Sequence, residues 1–226
     1  MFDFEFRNSY FLRERGFEVF TVPEAFTLIS NNGFSLNYFE VDGMGLCFQS
    51  NLMDLQTALE DSFERVLRAR GRPSVLLCDR GLMDGSAYMA PEQWEKLLAS
   101  KELEVADVCE SRYNAVMHLV TAAEGAERYY TLENNEVRSE SPEQARELDR
   151  KSRLAWVGHP KLFVFDNSTD FEGKLQRLVD TIANLVGLPS KLSKASRKYL
   201  LKYGPAFEDF PEDLKYSIFE VEKVRQ

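Results

Sequence analysis

The sequence predicts an α/β fold in which helices flank a mostly parallel β-sheet. Short runs rich in β-forming residues alternate along the chain with segments whose apolar residues recur at helical spacing. This alternation is typical of βαβ units. The run V-L-L-C at 75–78 is continuously apolar, as in strands that are covered on both faces. Capping sequences and Gly or Pro stops mark where the helical segments begin and end.

The expected elements follow in order along the chain. The predicted strands are 17–22, 74–78, 113–120 and 161–165. The predicted helices are 24–31, 46–70, 91–100, 142–156 and one that runs from Thr169 to Val186. The last two helices start at the capping boxes Ser141-Pro142-Glu143-Gln144 and Thr169-x-x-Glu172. Residues 1–15 are expected to form a helix start or an edge segment, and 127–138 a hairpin or a mobile flap.

Composition excludes several classes of protein. The 226 residues include 28 Lys and Arg against 37 Asp and Glu, and this net charge of −9 argues against broad nucleic-acid binding. Cys47, Cys78 and Cys109 form no C-x-x-C pair, which argues against a zinc ribbon or a disulfide framework. No apolar run approaches the roughly 18 residues that span a bilayer, and the N-terminus lacks the basic region of a secretory signal. We therefore expect a reduced, soluble, cytoplasmic protein.

Polar residues follow the predicted strands at their carboxyl ends, where open α/β sheets bind ligands. In chain order these residues are Glu24, Asp79-Arg80-Gly81, Thr121 and Asp166-Asn167-Ser168. Because the carboxyl ends of parallel strands meet at one edge of a sheet, we expect these side chains to converge there.

Asp79 and three arginines are candidates for binding phosphate and metal. An acid directly after an apolar strand can hold Mg²⁺, directly or through water. A simple turn hydrogen bond explains Asp79 alone equally well, but Arg80-Gly81 directly after it favours the functional interpretation. Arg80 can reach phosphate oxygens, and Arg138 and Arg153 flank the helix 142–156, from which they could close over phosphates. A solvated face explains those two arginines better from sequence alone, and Asp149 could pair with Arg153 on the helix.

Histidines and tryptophans have structural interpretations. His118 lies in an apolar strand and is expected to be a satisfied core residue, whereas His159 is either a turn residue or a ligand contact. Trp94 and Trp156 lie on predicted helices and are expected in the core.

Several stretches carry a resemblance to a known family. They are V-P-E-A (22–25), C-D-R-G-L-M-D-G (78–85), R-Y-N-A-V-M-H-L-V-T-A-A-E-G-A-E (112–127), A-W-V-G-H-P (155–160) and F-D-N-S-T-D-F-E-G-K (165–174). In order and spacing they resemble the NadR-related AAA-type P-loop domain, closest to the TRPL translocation defect proteins, over residues 11–189. The resemblance implies a P-loop NTPase fold, GTP binding and kinship with nucleotide and nucleoside kinases. From the animal proteins it also implies phosphoinositide binding and a role in membrane-protein trafficking.

The resemblance also implies roles for individual residues. Asp79 would be the Walker-B-like acid next to Mg²⁺, with GTP or ATP as the nucleotide, and Glu24 would lie near the acceptor or the metal. The implied nucleotide contacts are Arg80, Arg138 and Arg153 at the phosphates, and Asn167 and Ser168 near the base.

The sequence departs from the family at the Walker A pattern, G-x-x-x-x-G-K-[ST], which does not occur in it. Gly16 is the first glycine, so the chain is expected to start inside or just before the helix that follows the P-loop. Placing M-F-D-F-E-F (1–6) in the central strand would bury Asp3 and Glu5 at a cost of several kcal/mol each. We therefore expect the first, central strand to be missing, a gap in the sheet, and impaired phosphate binding. A truncated form, an incomplete sequence and a degenerate relative are all open explanations.

The C-terminal part has a basic segment, K-L-S-K-A-S-R-K-Y-L-L-K-Y (191–203). On a helix its lysines Lys191, Lys194, Lys198 and Lys202 would share one face. Such a face can bind an anionic lipid surface, and a solvated linker helix explains it equally well. We assign 1–189 to the NTPase-like domain, and 190–226 to this segment and the opening strand of a CYTH-like domain.

Three functions are compatible with the sequence. The first is a GTP-binding domain of a membrane-trafficking protein. The second is a small-molecule kinase of the nucleoside class, with an acceptor site near Glu24 and Asp84. The third is a non-enzymatic module that binds lipid or a partner on an NTPase scaffold. The expected partners are a nucleotide and an anionic phospholipid or membrane-protein cargo, but no nucleic acid.

Overall fold

The computed structural model describes residues 9–127 and 141–188. The chain divides into two units, Met1–Leu192 and Ser193–Gln226, and every described residue belongs to the first. Four sequence predictions lie outside the described residues: the conformation of 1–8, the flap with Arg138, the opening strand of a CYTH-like domain, and the basic segment with Lys191, Lys194, Lys198 and Lys202.

Four strands form two parallel pairs. In the first pair, β1 (Glu18–Val22) runs beside β2 (Ser74–Cys78), with Val19 opposite Val75 and Val22 opposite Cys78. In the second pair, β3 (Val116–Leu119) runs beside β4 (Leu162–Phe165). All four strands lie inside the predicted segments. The predicted strand 113–120 is too long at its start because the Tyr113 carbonyl bonds to the His159 ring at 3.0 Å instead of joining the ladder.

Helices connect and cover the strands. The helices of the described residues are α1 (9–13), α2 (Ala25–Asn31), α3 (Met44–Arg70), α4 (Pro91–Ser100), α5 (Pro142–Ala155) and α6 (Phe171–Leu185). Short 3₁₀ turns lie at Leu36–Glu40 and Leu82–Tyr88, and a π-turn lies at Asp107–Ser111. None of these helices combines the length and the hydropathy that crossing a membrane would require.

The helix ends confirm most of the predicted signals and correct one. Gly71 ends α3 in the left-handed region at φ 63°, a conformation that glycine adopts without a steric cost. Ser141 caps α5 by accepting from the Gln144 amide, and the Gln144 side chain accepts from the Ser141 amide in return. The capping box predicted at Thr169 is wrong, because the Asp170 carboxylate accepts from the Gly173 amide at 2.8 Å and caps α6 one residue later.

Both strand pairs contribute to one apolar cluster. Its buried members are Leu12, Val19, Phe165, Leu178 and Ile182, from α1, β1, β4 and α6. Val75 and Leu77 of β2 and Met117 and Leu119 of β3 pack against the cluster. Since side chains alternate between the faces of a strand, one face of each pair is turned to the same core.

A second cluster contains both tryptophans, as predicted. It is formed by α3, α4, the end of α5, the 3₁₀ turn Leu82–Tyr88 and the π-turn Asp107–Ser111. Its buried members are Met53, Leu82, Met83, Trp94, Leu97, Leu98, Val108, Cys109 and Trp156. Trp94 and Trp156 are 7% and 3% exposed. This cluster packs against the first residues of β3 and β4, Val116 and Leu162.

The predicted α/β fold, with short parallel strands flanked by helices, is confirmed. Within 9–127 and 141–188, β2 pairs only with β1 and β3 pairs only with β4, so the sheet is two pairs and not one continuous ladder. The strands β2 and β3 are apolar, yet their residues are only half-buried or exposed.

Candidate functional site

The pairing of β1 with β2 brings two predicted acids to one edge. Val22 lies opposite Cys78, and the Asp79 amide donates to the Val22 carbonyl at 2.9 Å, so Asp79 stands at the end of the ladder. Glu24 follows β1 by two residues, and its carboxylate accepts from the Thr27 hydroxyl at 2.6 Å. The structure therefore places Glu24 and Asp79 at the same end of the strand pair.

Arg80 lies among these acids. Its backbone is in the left-handed region at φ 69°, which is uncommon for a residue other than glycine. The guanidinium lies 3.4 Å from the Glu24 carboxylate and 3.9 Å from the Asp84 carboxylate, and the side chain is 41% exposed. Burial opposes the charge, but the carboxylates of Asp84, Glu24 and Asp79 outweigh it and raise the pKa of Arg80. Arg80 is thus a permanent cation that its neighbours hold loosely.

Asp84 and Gly81 shape the loop after β2. The Asp84 carboxylate accepts from the Gly81 amide at 2.8 Å and from the Trp156 indole at 3.3 Å. A Cβ added to Gly81 would lie 2.8 Å from the Trp156 ring and 3.1 Å from the Tyr113 ring. Residue 81 must therefore be glycine for the loop to lie against these two rings, which fixes the position of Arg80.

Beneath the loop lies a buried acid that the sequence analysis missed. The Glu60 carboxylate accepts from the Gln56 amide at 2.9 Å, the Arg112 guanidinium at 2.7 Å and the Tyr113 hydroxyl at 3.0 Å. The Tyr113 hydroxyl in turn accepts from the Leu82 amide at 2.9 Å. Burial, and then the charge of Glu60, raises the pKa of Tyr113, so the hydroxyl keeps the proton that it donates. This network ties the loop after β2 to α3.

A different set of groups lies at the carboxyl end of β3. The Asp149 carboxylate bonds to the His118 ring at 3.1 Å and accepts from the Thr121 amide at 2.7 Å. His118 is therefore a satisfied core residue, as predicted. Asp149 uses its oxygens on these two groups and does not pair with Arg153. Among the described residues Arg153 has no ion-pair partner; it lies half-buried in the last turn of α5.

Lys174 joins the ends of β3 and β4. This buried lysine, 6% exposed, donates to the Val120 carbonyl at 2.6 Å and to the Asn167 side-chain oxygen at 2.8 Å. The Asn167 side-chain nitrogen donates to the carbonyls of Thr121 and Glu124 at 2.8 and 2.7 Å. Both ends of the Asn167 amide are thus occupied inside the protein. Lys174 was not among the site residues predicted from the sequence.

The other residues near β4 are also engaged locally. The Ser168 hydroxyl donates to the Asp166 carboxylate at 2.6 Å, and Arg177 donates to the same carboxylate at 2.9 Å. Of the two interpretations of His159, a turn residue or a ligand contact, the structure supports the turn residue. Its Nδ1 accepts from the Lys161 amide at 3.0 Å, so Nε2 carries the proton and donates to a carbonyl.

The edge at β1 and β2 fits Mg²⁺ only together with a ligand that brings oxygens. Glu24, Asp79 and Asp84 are hard oxygen donors, as Mg²⁺ prefers. In the part of the chain that the structure describes, however, no three acidic, histidine or cysteine side chains are grouped to hold a metal ion. Mg²⁺ commonly binds one or two carboxylates and completes its shell with phosphate oxygens and water. Asp79 suits that limited role.

A shallow hollow of about 370 Å³ lies elsewhere, on α5. It is lined by Glu143, Gln144, Glu147, Leu148 and Lys151. None of the strand-end side chains lines it, so it is unrelated to the edge formed by β1 and β2.

Comparison with protein families assigns most of the chain to a known family. A family model described as an AAA domain matches residues 9–174, which is more than half of the chain. Neither the curated proteins nor the solved structures contain a significant match. The matched range spans both strand pairs and ends at Lys174.

Proposed function

The chain belongs to the AAA domain family, and we propose that it binds Mg²⁺ with GTP, or less tightly with ATP, at the carboxyl ends of β1 and β2. Membership supports nucleotide binding in general. The preference for GTP rests on the resemblance to the NadR-related and TRPL translocation defect proteins. In this proposal Asp79 contacts the metal, directly or through water, and Arg80 contacts the phosphates.

The position of Arg80 carries the proposal. Its guanidinium is held at 3.4 and 3.9 Å by two carboxylates and is partly exposed. These distances are longer than the 2.7–2.9 Å of a strong charge-assisted hydrogen bond. A phosphate can therefore take the place of a carboxylate on the guanidinium without breaking a strong bond. Mg²⁺ bound with the phosphates would at the same time offset the charge of the nearby acids.

Phosphate binding is weak in this proposal. The sequence has no Walker A glycines, lysine or hydroxyl residue, and these groups supply the amide cradle and charge of a P-loop. We expect a dissociation constant of about 0.1–1 mM, which is about 5 kcal/mol of binding free energy. Arg138 and Arg153 would add phosphate contacts. Asn167 and Ser168 would lie near the base. Because both ends of the Asn167 side-chain amide are hydrogen-bonded within the protein, Asn167 would act by holding the loop after β3 in shape.

Titration calorimetry tests this proposal directly. Mg²⁺ with GTP and Mg²⁺ with ATP are each titrated into the full chain and into Asp79→Asn. Glu147→Gln serves as the matched control, because Glu147 is an exposed acid paired with Arg150 on α5. We expect binding to weaken by at least about tenfold in Asp79→Asn and to be unchanged in the control. Absence of binding by a chain that circular dichroism shows to be folded would contradict the proposal.

The cellular role that we propose is membrane trafficking, with an anionic phospholipid such as a phosphoinositide, or a membrane-protein cargo, as partner. Only the resemblance and the basic segment support it. Its test is flotation with phosphoinositide vesicles, using charge reversal of Lys191, Lys194, Lys198 and Lys202. Vesicle binding that the reversal leaves unchanged would rule out this role for the lysines.

A small-molecule kinase is the second candidate, and the environment of Glu24 favours it. The carboxylate is oriented by Thr27 and lies beside Arg80. From there it could accept the proton of an acceptor hydroxyl during in-line phosphoryl transfer. Nucleoside acceptors incubated with Mg²⁺ and ATP should then yield a phosphorylated product that Glu24→Gln abolishes. Nucleotide binding without any phosphorylated product would exclude the kinase and leave nucleotide binding as the function.

A further inference from the structure

The segment between α2 and α3 exposes an unusual number of large apolar side chains. Leu36, Tyr38, Phe39, Val41 and Leu46 are between 39% and 58% exposed, and together we call them the apolar patch. Single exposed apolar residues are normal in folded proteins, whereas a concentration of them marks an interaction surface. All five lie within 36–46, and the other exposed large apolar residues of the described chain are spread more thinly.

The aromatic members of the patch are held in place from below. The ring of Phe34 stacks on that of the buried Phe48, with 4.4 Å between their centroids. Phe39 meets both rings edge-on, at 5.3 and 5.1 Å, and Tyr38 meets Phe34 at 5.3 Å. Such edge-to-face contacts are favourable geometries for aromatic pairs. The patch is therefore ordered before a partner arrives, which lowers the entropy cost of binding.

The charges along the chain segment that carries the patch all have one sign. Glu40 and Asp42 lie within it and are exposed, and no described cation pairs with either. Along the chain, residues 16–64 contain no lysine, arginine or histidine but eight acids. The surface is thus apolar and acidic together, and the surface that complements it is apolar and basic.

We infer that the apolar patch binds a basic amphipathic helix of a partner protein. Such a helix presents leucine-like residues along one stripe, with lysine or arginine beside them, so that both features of the patch are met at once. A second copy of this chain fits less well, because a two-fold contact would bring Glu40 and Asp42 of both copies together. An anionic membrane fits less well for the same electrostatic reason. The inference does not depend on nucleotide binding.

A synthetic helix of leucine and lysine is a suitable probe, and the matching leucine–glutamate peptide is its control. Fluorescence anisotropy with the labelled peptides measures binding to the full chain, to Leu36→Ser with Val41→Ser, and to Glu40→Lys with Asp42→Lys. The control for the apolar variant is Leu154→Ser with Val157→Ser, two exposed residues at the end of α5 and just after it. The control for the charge variant is Glu92→Lys with Glu95→Lys, two exposed acids on α4. Thermal denaturation checks that each variant is folded.

We expect both patch variants to weaken binding of the leucine–lysine peptide by at least about tenfold, and both control variants to leave it within about twofold. The leucine–glutamate peptide should not bind. The inference is overturned if the leucine–lysine peptide does not bind, or if patch and control variants weaken it equally. It is also overturned if sedimentation shows a dimer that the Leu36→Ser, Val41→Ser variant dissociates. Phosphatidylserine vesicles that bind through the same residues would contradict it as well.

Discussion

Two cations, one at the end of each strand pair, are held in different ways. Arg80, after β2, is 41% exposed on its side chain, and its ion-pair partners are two carboxylates at 3.4 and 3.9 Å. Lys174, at the ends of β3 and β4, is 6% exposed and bonded at 2.6 and 2.8 Å to a carbonyl and an amide oxygen. A ligand can replace the partners of Arg80, whereas the partners of Lys174 belong to the fold. We therefore interpret the first end as adaptable and the second as a structural clamp.

The largest expected effect comes from breaking the clamp. Lys174→Met keeps the length of the side chain but removes the donor, so the Val120 carbonyl and the Asn167 side-chain oxygen lose their partner. Leaving buried acceptors unpaired should lower the free energy of unfolding by about 2–4 kcal/mol. Urea denaturation measures the free energy of unfolding, and Lys151→Met, on the exposed side of α5, is the control. A loss as small as that of the control would show that Lys174 is not a clamp.

A smaller effect is expected below the adaptable end. Tyr113→Phe removes the donor to Glu60 and the acceptor of the Leu82 amide, which should cost about 1–2 kcal/mol. Hydrogen exchange at the Leu82 amide should accelerate as well. Tyr10→Phe is the matched control because Tyr10 is 58% exposed. Unchanged exchange at Leu82 would indicate that the loop does not depend on this network.

Arg80 itself should contribute little to stability. Arg80→Gly loses two long ion pairs but relieves the left-handed backbone at φ 69°, so we expect stability within about 1 kcal/mol of the parent chain. Arg80→Gln keeps the strain and loses the charge, and should be the less stable of the two. Both should bind Mg²⁺ with GTP more weakly. A loss of stability as large as that of Lys174→Met would remove the contrast between the two ends.

An effect confined to alkaline pH concerns Cys78, the last residue of β2. Burial, and then the charge of Glu60, raises the pKa of the Cys78 thiol from 9.0 to about 12. The unfolded chain then releases this proton at a lower pH than the folded chain does, so stability should fall as pH rises from 9 towards 12. Cys78→Ala should make this fall shallower in denaturation measurements at alkaline pH. In the folded chain iodoacetamide should modify the exposed Cys47 much faster than Cys78; equal rates would contradict the burial.

Local signals predicted most of the elements. Pro91 and the Ser141 capping box start helices where predicted, and Gly71 ends α3 where predicted, because each acts within one turn of the helix. Thr169 misled the prediction because Asp170 beside it is an equally competent cap, and the backbone of the loop decides between two such neighbours.

The candidate site was predictable only where strand order places it. Asp79 and Glu24 share an edge because parallel strands end together. The partners of Glu60 and Lys174 lie as far as 54 residues away, so only packing reveals them. One signal in the sequence could have found them, namely polar residues at helix positions that the apolar spacing predicts to be buried. Gln56 and Glu60 lie in the buried stripe of α3, and Lys174 lies in that of α6.

Hydrogen exchange with and without saturating Mg²⁺ and GTP tests the contrast between the two ends most directly. The account predicts slower exchange in peptides that cover 79–85 when the nucleotide is present. It also predicts that the amides of 171–178, beside Lys174, are already protected and do not change. Slower exchange confined to 119–124 and 166–178, with no change at 79–85, would contradict it and place the ligand at the end that we interpret as a clamp.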